Sequence, residues 1–288
     1  MKNIYLFALM FIFVPSLAFA FKTDGFQNPY GIVVDESAGY IYVSNINGGY
    51  ELKDGNGFIS RLKLDGSLDN MRYIGGASKG ITLNSPKGMA IVGTRLYIAD
   101  IDKLRVFDTI KAELLYNVNF GDYSIQHLID LEPGPDGALY VTDAGTNVIY
   151  RIDVDKQHEV TKFVEGEELG GPHGICWYSE RQVFIIAGWG AGRLVQYDRS
   201  GKRQALPSVL LSTLEGCVAD AYGNVYISSE SLNTVFRVAP SFALYGFALG
   251  QRQPAGLAFL KKTNEIIVAS LEGNYIESFP AEKPPKEN

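Results

Sequence analysis

The chain alternates between short apolar runs and turn residues over nearly its whole length. Typical runs are 139–141 (LYV), 225–227 (VYI) and 266–268 (IIV), which are rich in β-branched and aromatic residues. Turn sequences such as Pro-Asp-Gly at 135–137 bound these runs, as is typical of strands in hairpins. After the first residues, no segment carries the 3.6-residue apolar stripe with capping residues that indicates a helix. The pattern therefore predicts an all-β protein.

One pattern recurs six times: a small residue, a strand, a turn, a second strand that ends in a polar residue, and a third strand. The position of the small residue is called the anchor here. The six anchors are Gly31, Gly88, Asp130, Gly174, Gly216 and Gly256. Most copies span roughly 40 to 45 residues and about four strands, as in the blades of a propeller. Since one such unit cannot bury both faces of its sheet alone, we predict a closed six-bladed β-propeller with four-stranded blades.

The last copy shows only three strands before a polar tail, 281–288, while residues 21–26 precede the first anchor. We expect this N-terminal stretch to supply the outer strand of the last blade, which would close the ring without a free edge. The propeller domain is accordingly predicted to span 21–280.

The first residues have the features of an export signal. Lys2 is followed by an apolar stretch, 4–17, and by Ala-Phe-Ala at 18–20, an A-x-A cleavage pattern. We therefore predict a signal peptide at 1–20, a mature chain that begins at Phe21, and a periplasmic or secreted protein. No later apolar run is long enough to span a bilayer, so no membrane span is expected after cleavage.

Composition narrows the range of partners. Hydrophobic residues make up 46% of the chain and charged residues 20%, as in an ordinary globular protein. The formal net charge is −6, and no run of Lys and Arg is present. Nucleic acid is therefore not an expected partner.

Propeller topology brings candidate side chains to the mouth of the central channel. Residues just before the anchors should crowd this mouth, and the ends of the second strands should form a wider ring around it. The ligand-binding candidates are Tyr30, Lys87, Asp130, Trp189 and Glu230, together with His173 and Glu215. A concave mouth lined in this way is expected to bind a small molecule, a peptide, a glycan or a protein.

The stretches LEGCVADAYGNVYIS from Leu214 and LEPGPDGALYVTDAGTNVIYRID from Leu131 resemble NHL repeats and the senescence-marker-protein/gluconolactonase family of six-bladed propellers. The resemblance implies one divalent cation at the mouth, with Glu215 at the position of the family's ligand and general base and His173 at a ligand position. A further ligand position falls on Ile129, which cannot bind a metal. Asp130 completes the predicted metal group with Glu215 and His173, and Glu215 and His173 are the catalytic candidates.

Two functions therefore stay open: a propeller that binds a ligand or partner at its channel mouth, and a metal-dependent lactonase or esterase. Two further features bear on the site. Cys176 and Cys217 either form a disulfide between consecutive blades or stay as two buried thiols. The first copy is longer than the others, mostly at 45–57, and this loop should rise on the face of the channel mouth.

Overall fold

The computed structural model describes residues 20–75, 80–206 and 211–283, so nearly all of the predicted signal peptide lies outside the described residues. The described chain forms six antiparallel sheets of four strands each, arranged as a β-propeller, which confirms the predicted fold class. Among these residues, no helix is long and apolar enough to cross a membrane.

The blades are numbered I to VI in chain order, and each follows the sequence of the chain from its inner to its outer strand. Blade I contains β2 Pro29–Asp35, β3 Tyr40–Asn45, β4 Phe58–Lys63 and β5 Leu68–Gly75. Blade II contains β6 Pro86–Val92, β7 Arg95–Asp100, β8 Lys103–Asp108 and β9 Leu114–Asn117. Blade III contains β10 Leu128–Pro133, β11 Leu139–Asp143, β12 Val148–Asp153 and β13 Glu159–Glu165.

A short 3-10 helix, Glu167–Leu169, connects blades III and IV. Blade IV contains β14 Pro172–Tyr178, β15 Val183–Gly188, β16 Arg193–Asp198 and β17 Arg203–Gln204. Blade V contains β18 Leu214–Ala219, β19 Val225–Ser229, β20 Thr234–Val238 and β21 Leu244–Leu249. Blade VI contains β22 Pro254–Leu260, β23 Glu265–Ser270, β24 Tyr275–Pro280 and, as its outer strand, β1 Phe21–Asp24.

The ring closes through the N-terminal strand. β1 pairs antiparallel with β24, with Phe21 opposite Ser278 and Asp24 opposite Tyr275. Phe26, just after β1, is fully buried in the apolar cluster between blades VI and I. The predicted closure is therefore confirmed, and the two ends of the propeller are held in one sheet.

The inner strands are buried on both faces because each blade packs between two others. The second strands β11 and β19 are buried at every position, whereas most positions of the outer strands β5 and β9 are exposed or half-buried. The buried clusters lie mainly between neighbouring blades, for example one shared by blades II and III and one shared by blades IV and V. The core is thus a ring of interfaces rather than one central mass.

The anchor glycines are required where the first strands of neighbouring blades meet around the axis. A Cβ atom on Gly31 would lie 2.2 Å from the carbonyl oxygen of Lys87, and one on Gly174 would lie 2.4 Å from that of Glu215. These distances are far shorter than any van der Waals contact. The recurring glycine of the sequence pattern is therefore explained by close backbone packing at the channel.

Buried hydroxyl groups reinforce alternate interfaces. Ser44 Oγ accepts the N–H of Gly31 at 2.7 Å and donates to the carbonyl of Lys87 at 2.7 Å. Thr142 in blade III and Ser228 in blade V make the equivalent contacts. Each hydroxyl thus links one blade to the next close to the channel mouth.

Residues after β24 continue along blade V. The carbonyl of Glu282 accepts a hydrogen bond from Asn224 at 2.9 Å, and its carboxylate lies 3.0 Å from the Arg237 guanidinium. The first part of the predicted polar tail therefore contacts the neighbouring blade, while 284–288 lie outside the described residues.

Candidate functional site at the channel mouth

A cavity of about 650 Å³ opens at the end of the channel where the first strands begin. Its wall combines acidic, aromatic, histidine and glycine residues from several blades. The lining residues are Tyr50, Glu51, His127, Ile129, Ala144, Asn147, Glu167, Gly170, Gly171, His173, Trp189, Gly190, Ala191, Glu215, Glu230 and Leu271. Four of the predicted site residues, His173, Glu215, Trp189 and Glu230, are among them.

Three side chains from three blades meet at the floor of the cavity. His173 Nδ1 lies 3.1 Å from Glu215 Oε2, and the same oxygen accepts a hydrogen bond of 2.5 Å from the Tyr30 hydroxyl. His173 and Glu215 are buried, being only 8% and 6% exposed. Burial, followed by the nearby Glu215 carboxylate, raises the pKa of Tyr30 well above its ordinary value. Tyr30 therefore stays a hydrogen-bond donor to Glu215, which leaves a histidine–carboxylate pair facing the cavity.

Trp189 and Glu230 form the wall above this pair. The indole N–H of Trp189 donates to Glu230 Oε2 at 3.0 Å, and its ring stacks on His173 with centroids 5.7 Å apart. Trp189 is 41% exposed, so part of its ring is available to a ligand.

The residues predicted at the ends of the second strands are displaced by one position in two blades. β15 and β19 end at Gly188 and Ser229, so Trp189 and Glu230 lie one residue beyond the strands. The true strand ends have a structural role: Asp100 accepts the N–H of Asn84 and of Ser85. Side chains at these positions therefore hold the connections between blades, and it is the residues just after the strands that line the cavity.

Lys87, predicted at the mouth, does not line the cavity. Its ammonium group donates to the carbonyl of Tyr50 at 3.1 Å and lies 4.4 Å from the centre of the Tyr50 ring. The side chain is 1% exposed, and burial lowers its pKa to about 8. The loop that carries Tyr50 covers Lys87, so this lysine supports the wall of the cavity from behind.

Asp130 and Tyr30 lie lower, at the narrow part of the channel. The Asp130 carboxylate accepts the N–H of Leu131 at 2.9 Å and of Ile175 at 3.1 Å. Burial raises the pKa of Asp130 to about 7, against the effect of these two hydrogen bonds. Its carboxylate therefore joins blades III and IV.

The predicted metal group does not form in the described part of the chain. No set of three or more His, Cys, Asp or Glu side chains there is arranged to hold a metal ion. Glu215 and His173 contact each other, whereas Asp130 is engaged by backbone amides of its own and the next blade. The described residues therefore do not supply the set of ligands that the implied divalent cation would need.

The long loop of the first copy rises on the mouth face, as predicted, and contributes Tyr50 and Glu51 to the cavity. Sequence reasoning did not single out His127, whose Nε2 lies 3.3 Å from Glu51 Oε1 across the cavity wall. It also missed Asn147 and Glu167. His127 lies three residues before the third anchor, a spacing that gives no signal of its own, and its proximity to Glu51 depends on the loop conformation.

Cys176 and Cys217 are bonded to each other, with Cα atoms 5.5 Å apart. They belong to β14 and β18, the first strands of blades IV and V, and lie in the apolar cluster between these blades. The open choice between a bridge and two thiols is thus resolved in favour of the bridge.

The sequence matches no protein-family model and no curated protein. Several solved structures are similar in shape. Virginiamycin B lyase from Staphylococcus aureus matches with a TM-score of 0.65 and 15% identity over 91% of this chain and 98% of its own. A streptogramin B lyase matches with a TM-score of 0.65 and 12% identity over 90% and 97% of the two chains.

A putative gluconolactonase matches with a TM-score of 0.70 and 13% identity over 94% of each chain. What these proteins share with this chain is the six-bladed fold. The resemblance to gluconolactonase-type propellers is therefore confirmed at the level of architecture, and activity has to be argued from the site.

Proposed function

We propose that this protein binds a small molecule or a short peptide segment in the cavity at its channel mouth. The observation that carries the proposal is the cavity itself, about 650 Å³ in volume and lined by an exposed tryptophan beside buried polar groups. This volume lies in the range of ligand sites in proteins, roughly 300–1,000 Å³. It admits a compact ligand or one to a few side chains of a peptide.

The wall residues support selective binding. Trp189 offers a flat apolar surface, while His173, Glu215 and Glu230 place polar atoms around it. Such a site typically gains affinity from the apolar contact and orientation from a few polar groups. The blade interfaces hold these groups in fixed positions, which reduces the entropy lost on binding.

A thermal-shift screen with a chemically diverse library tests this proposal, because a ligand that binds only the folded state raises its melting temperature. Ligands of the cavity should stabilise the wild-type protein and lose this effect in Trp189→Ala. The matched control is Trp177→Phe, since Trp177 packs against Phe184 and does not line the cavity. Ligands that stabilise Trp189→Ala as strongly as the wild type would place binding elsewhere.

A hydrolase that acts on a lactone or a related ester is the second candidate, and the His173–Glu215 pair favours it. A carboxylate on Nδ1 orients the ring and sets its tautomer, as in enzymes that use histidine as a general base. His173 would then take a proton from an attacking water through Nε2, and Glu215 would stabilise the imidazolium that results. The similar fold of a putative gluconolactonase is consistent with this candidate.

Lactone turnover should be measured for the wild type, for Glu215→Gln and for His173→Ala, with and without chelator, alongside the metal content of the purified protein. Turnover that is lost in both variants would establish the hydrolase. Turnover abolished by chelator, together with a stoichiometric divalent ion, would show that the metal implied by the family resemblance is present. Absence of turnover in the wild type across a panel of lactones would leave binding as the function.

We further infer that the protein works outside the cytoplasm. The apolar stretch at 4–17 and the Ala-Phe-Ala pattern support export. The bonded cysteines support it as well, because disulfides persist mainly in oxidising compartments. The mass of the mature protein is the test: a chain that begins at Phe21 is expected, and an unprocessed chain in the cytoplasm would contradict the inference.

A further inference from the structure

We infer that the ligand of the mouth cavity is an organic cation, an ammonium or guanidinium group attached to an apolar body. This inference rests on the proposed binding function and specifies its ligand class. It follows from three properties of the cavity: its charge, its excess of hydrogen-bond acceptors, and the aromatic surface beside them.

The charge of the lining is strongly acidic. Four glutamates, Glu51, Glu167, Glu215 and Glu230, face the cavity, and none of the lining residues is Lys or Arg. Among the described residues, no Lys or Arg side chain forms an ion pair with any of the four. Their partners are the neutral or weakly basic groups of Tyr30, His173, Trp189, Asn147 and His127. A concave, low-dielectric wall concentrates the potential of such charges.

Two basic side chains lie close by, but both are turned to backbone carbonyls. Lys87 donates to the carbonyl of Tyr50 behind the cavity wall. Arg193 donates to the carbonyl of Glu168 at 3.1 Å. Neither reaches a glutamate carboxylate of the cavity, so the negative potential is only partly offset.

The floor and wall also present free acceptors. Glu215 is 6% exposed, and both of its hydrogen bonds use Oε2, which leaves Oε1 without a partner among the described residues. Glu230 likewise uses only Oε2, for Trp189. Two side-chain donors of the wall, Trp189 Nε1 and Asn147 Nδ2, already donate to glutamates. The buried Tyr50 hydroxyl is one further donor that has no partner among the described residues.

A ligand that supplies donors and positive charge satisfies these acceptors, whereas a carboxylate or phosphate would add further acceptors next to unpaired carboxylates. His173 fits the same ligand. His173 Nδ1 lies within hydrogen-bond distance of Glu215, and in the tautomer that donates from Nδ1 the imidazole presents the lone pair of Nε2 as another acceptor.

Trp189 completes the recognition surface. Its half-exposed ring lies beside Glu230 and above His173, so an alkyl or aromatic body can pack on the indole while the cationic group reaches the carboxylates. Tryptophan is the best aromatic partner of a cation within about 6 Å of its face. The cavity thus offers an apolar and an ionic contact to one amphipathic cation.

Three probes of nearly equal size separate charge from apolar contact: 2-phenylethylamine, 2-phenylethanol and phenylacetate. Calorimetric titration of the full mature protein should show the amine binding about tenfold more tightly than the alcohol, because a charge-assisted hydrogen bond is stronger than a neutral one. Phenylacetate should bind most weakly. Added salt should weaken amine binding and leave that of the alcohol nearly unchanged.

Glu230→Gln is the decisive variant because it keeps the shape of a side chain that contributes little to the core. It should reduce amine affinity several-fold and change alcohol affinity much less. Glu159→Gln, on the outer strand of blade III and away from the cavity, is the matched control and should change neither. The blocked dipeptide N-acetyl-Phe-Lys-amide, tested in the same way, distinguishes a lysine side chain of a peptide from a free amine as the natural source.

If the alcohol or phenylacetate binds as tightly as the amine or more tightly, the cation inference is wrong. If that binding is also lost in Trp189→Ala, the cavity is still the binding site. An amine preference that persists in Glu230→Gln and in Glu215→Gln would also overturn it. Failure of all three probes to bind would contradict the inference, while the library screen decides the binding function separately.

Discussion

Cys176 and Cys217, which are bonded to each other, join the same two strands that carry His173 and Glu215. The bridge lies three residues after His173 on β14 and two residues after Glu215 on β18. It therefore fixes the spacing of blades IV and V directly below the pair at the cavity floor. A structural cross-link and the candidate site share one blade interface.

Removal of this bridge should lower the stability of the propeller. The two cysteines are 41 residues apart in sequence, and closing a loop of this size stabilises a folded chain by up to about 4 kcal/mol. We expect Cys176→Ala/Cys217→Ala to unfold at a lower denaturant concentration than the oxidised wild type. Reductant should destabilise the wild type and leave the double variant unchanged. Equal midpoints for all of these samples would show that the bridge does not contribute.

A methyl group at the anchor of blade IV should force β14 away from β18. The Cβ of Gly174→Ala would lie 2.4 Å from the carbonyl oxygen of Glu215, a backbone atom that cannot rotate aside. Overpacking of this kind costs about 1–3 kcal/mol, which is measured as a lower free energy of unfolding in urea. Gly190→Ala is the control, since its Cβ would meet its nearest neighbour at 3.4 Å. A stable Gly174→Ala protein would mean that the strands separate at little cost.

Much of the architecture could be predicted because it depends on local, repeated signals. Six anchors, strand patterns and turns indicated six blades, and the incomplete last copy indicated the closure by β1. The meeting of His173 with Glu215 also follows from the repeat, since both residues immediately precede an anchor glycine. Equivalent positions in neighbouring copies meet at the axis whatever their loops do.

The side-chain positions that the sequence did not predict depend on side-chain directions and on the paths of loops. The repeat pattern determines neither. Lys87 turns to the Tyr50 carbonyl because the inserted loop folds over it. Asp130 occupies an anchor position, yet its carboxylate accepts backbone amides of Leu131 and Ile175. Glu51 and His127 come close only through the conformation of irregular segments.

Two carboxyl groups on β10 should make stability depend on pH. Burial raises the pKa of Asp130 to about 7 and that of Glu132 to about 8, although Asp130 accepts two backbone N–H groups and Glu132 accepts one. Their neighbours include His173 and Glu215 for Asp130, and Asp130 and Lys261 for Glu132. Because both pKa values exceed those of the unfolded chain, about 3.9 and 4.3, the folded state binds more protons between pH 4 and 8.

Stability should therefore fall as pH rises through this range, by at most about 1.4 kcal/mol per pH unit for each group. Urea unfolding at a series of pH values measures the slope, which should be flatter in Asp130→Asn and in Glu132→Gln. The comparison uses slopes because Asp130→Asn also loses one acceptor for a backbone amide. Asp65→Asn is the control, since Asp65 lies in an exposed turn and bonds Ser67. An unchanged slope in both β10 variants would show that these two carboxyl groups do not control the pH dependence.

Closure of the ring by β1 should contribute strongly to stability through Phe26. This side chain is 0% exposed and packs in the cluster that joins blades VI and I, which includes Leu260 and Ile276. Phe26→Ala should cost about 3–5 kcal/mol, as is usual for a phenylalanine removed from a core. Leu68→Ala, at an outer-strand position that is 45% exposed, should cost far less. Denaturant unfolding of the two variants provides the comparison, and similar losses would mean that the N-terminal segment does not fasten the ring. A chain that begins at Gln27 should also aggregate more readily, because β24 would be left as an unpaired edge.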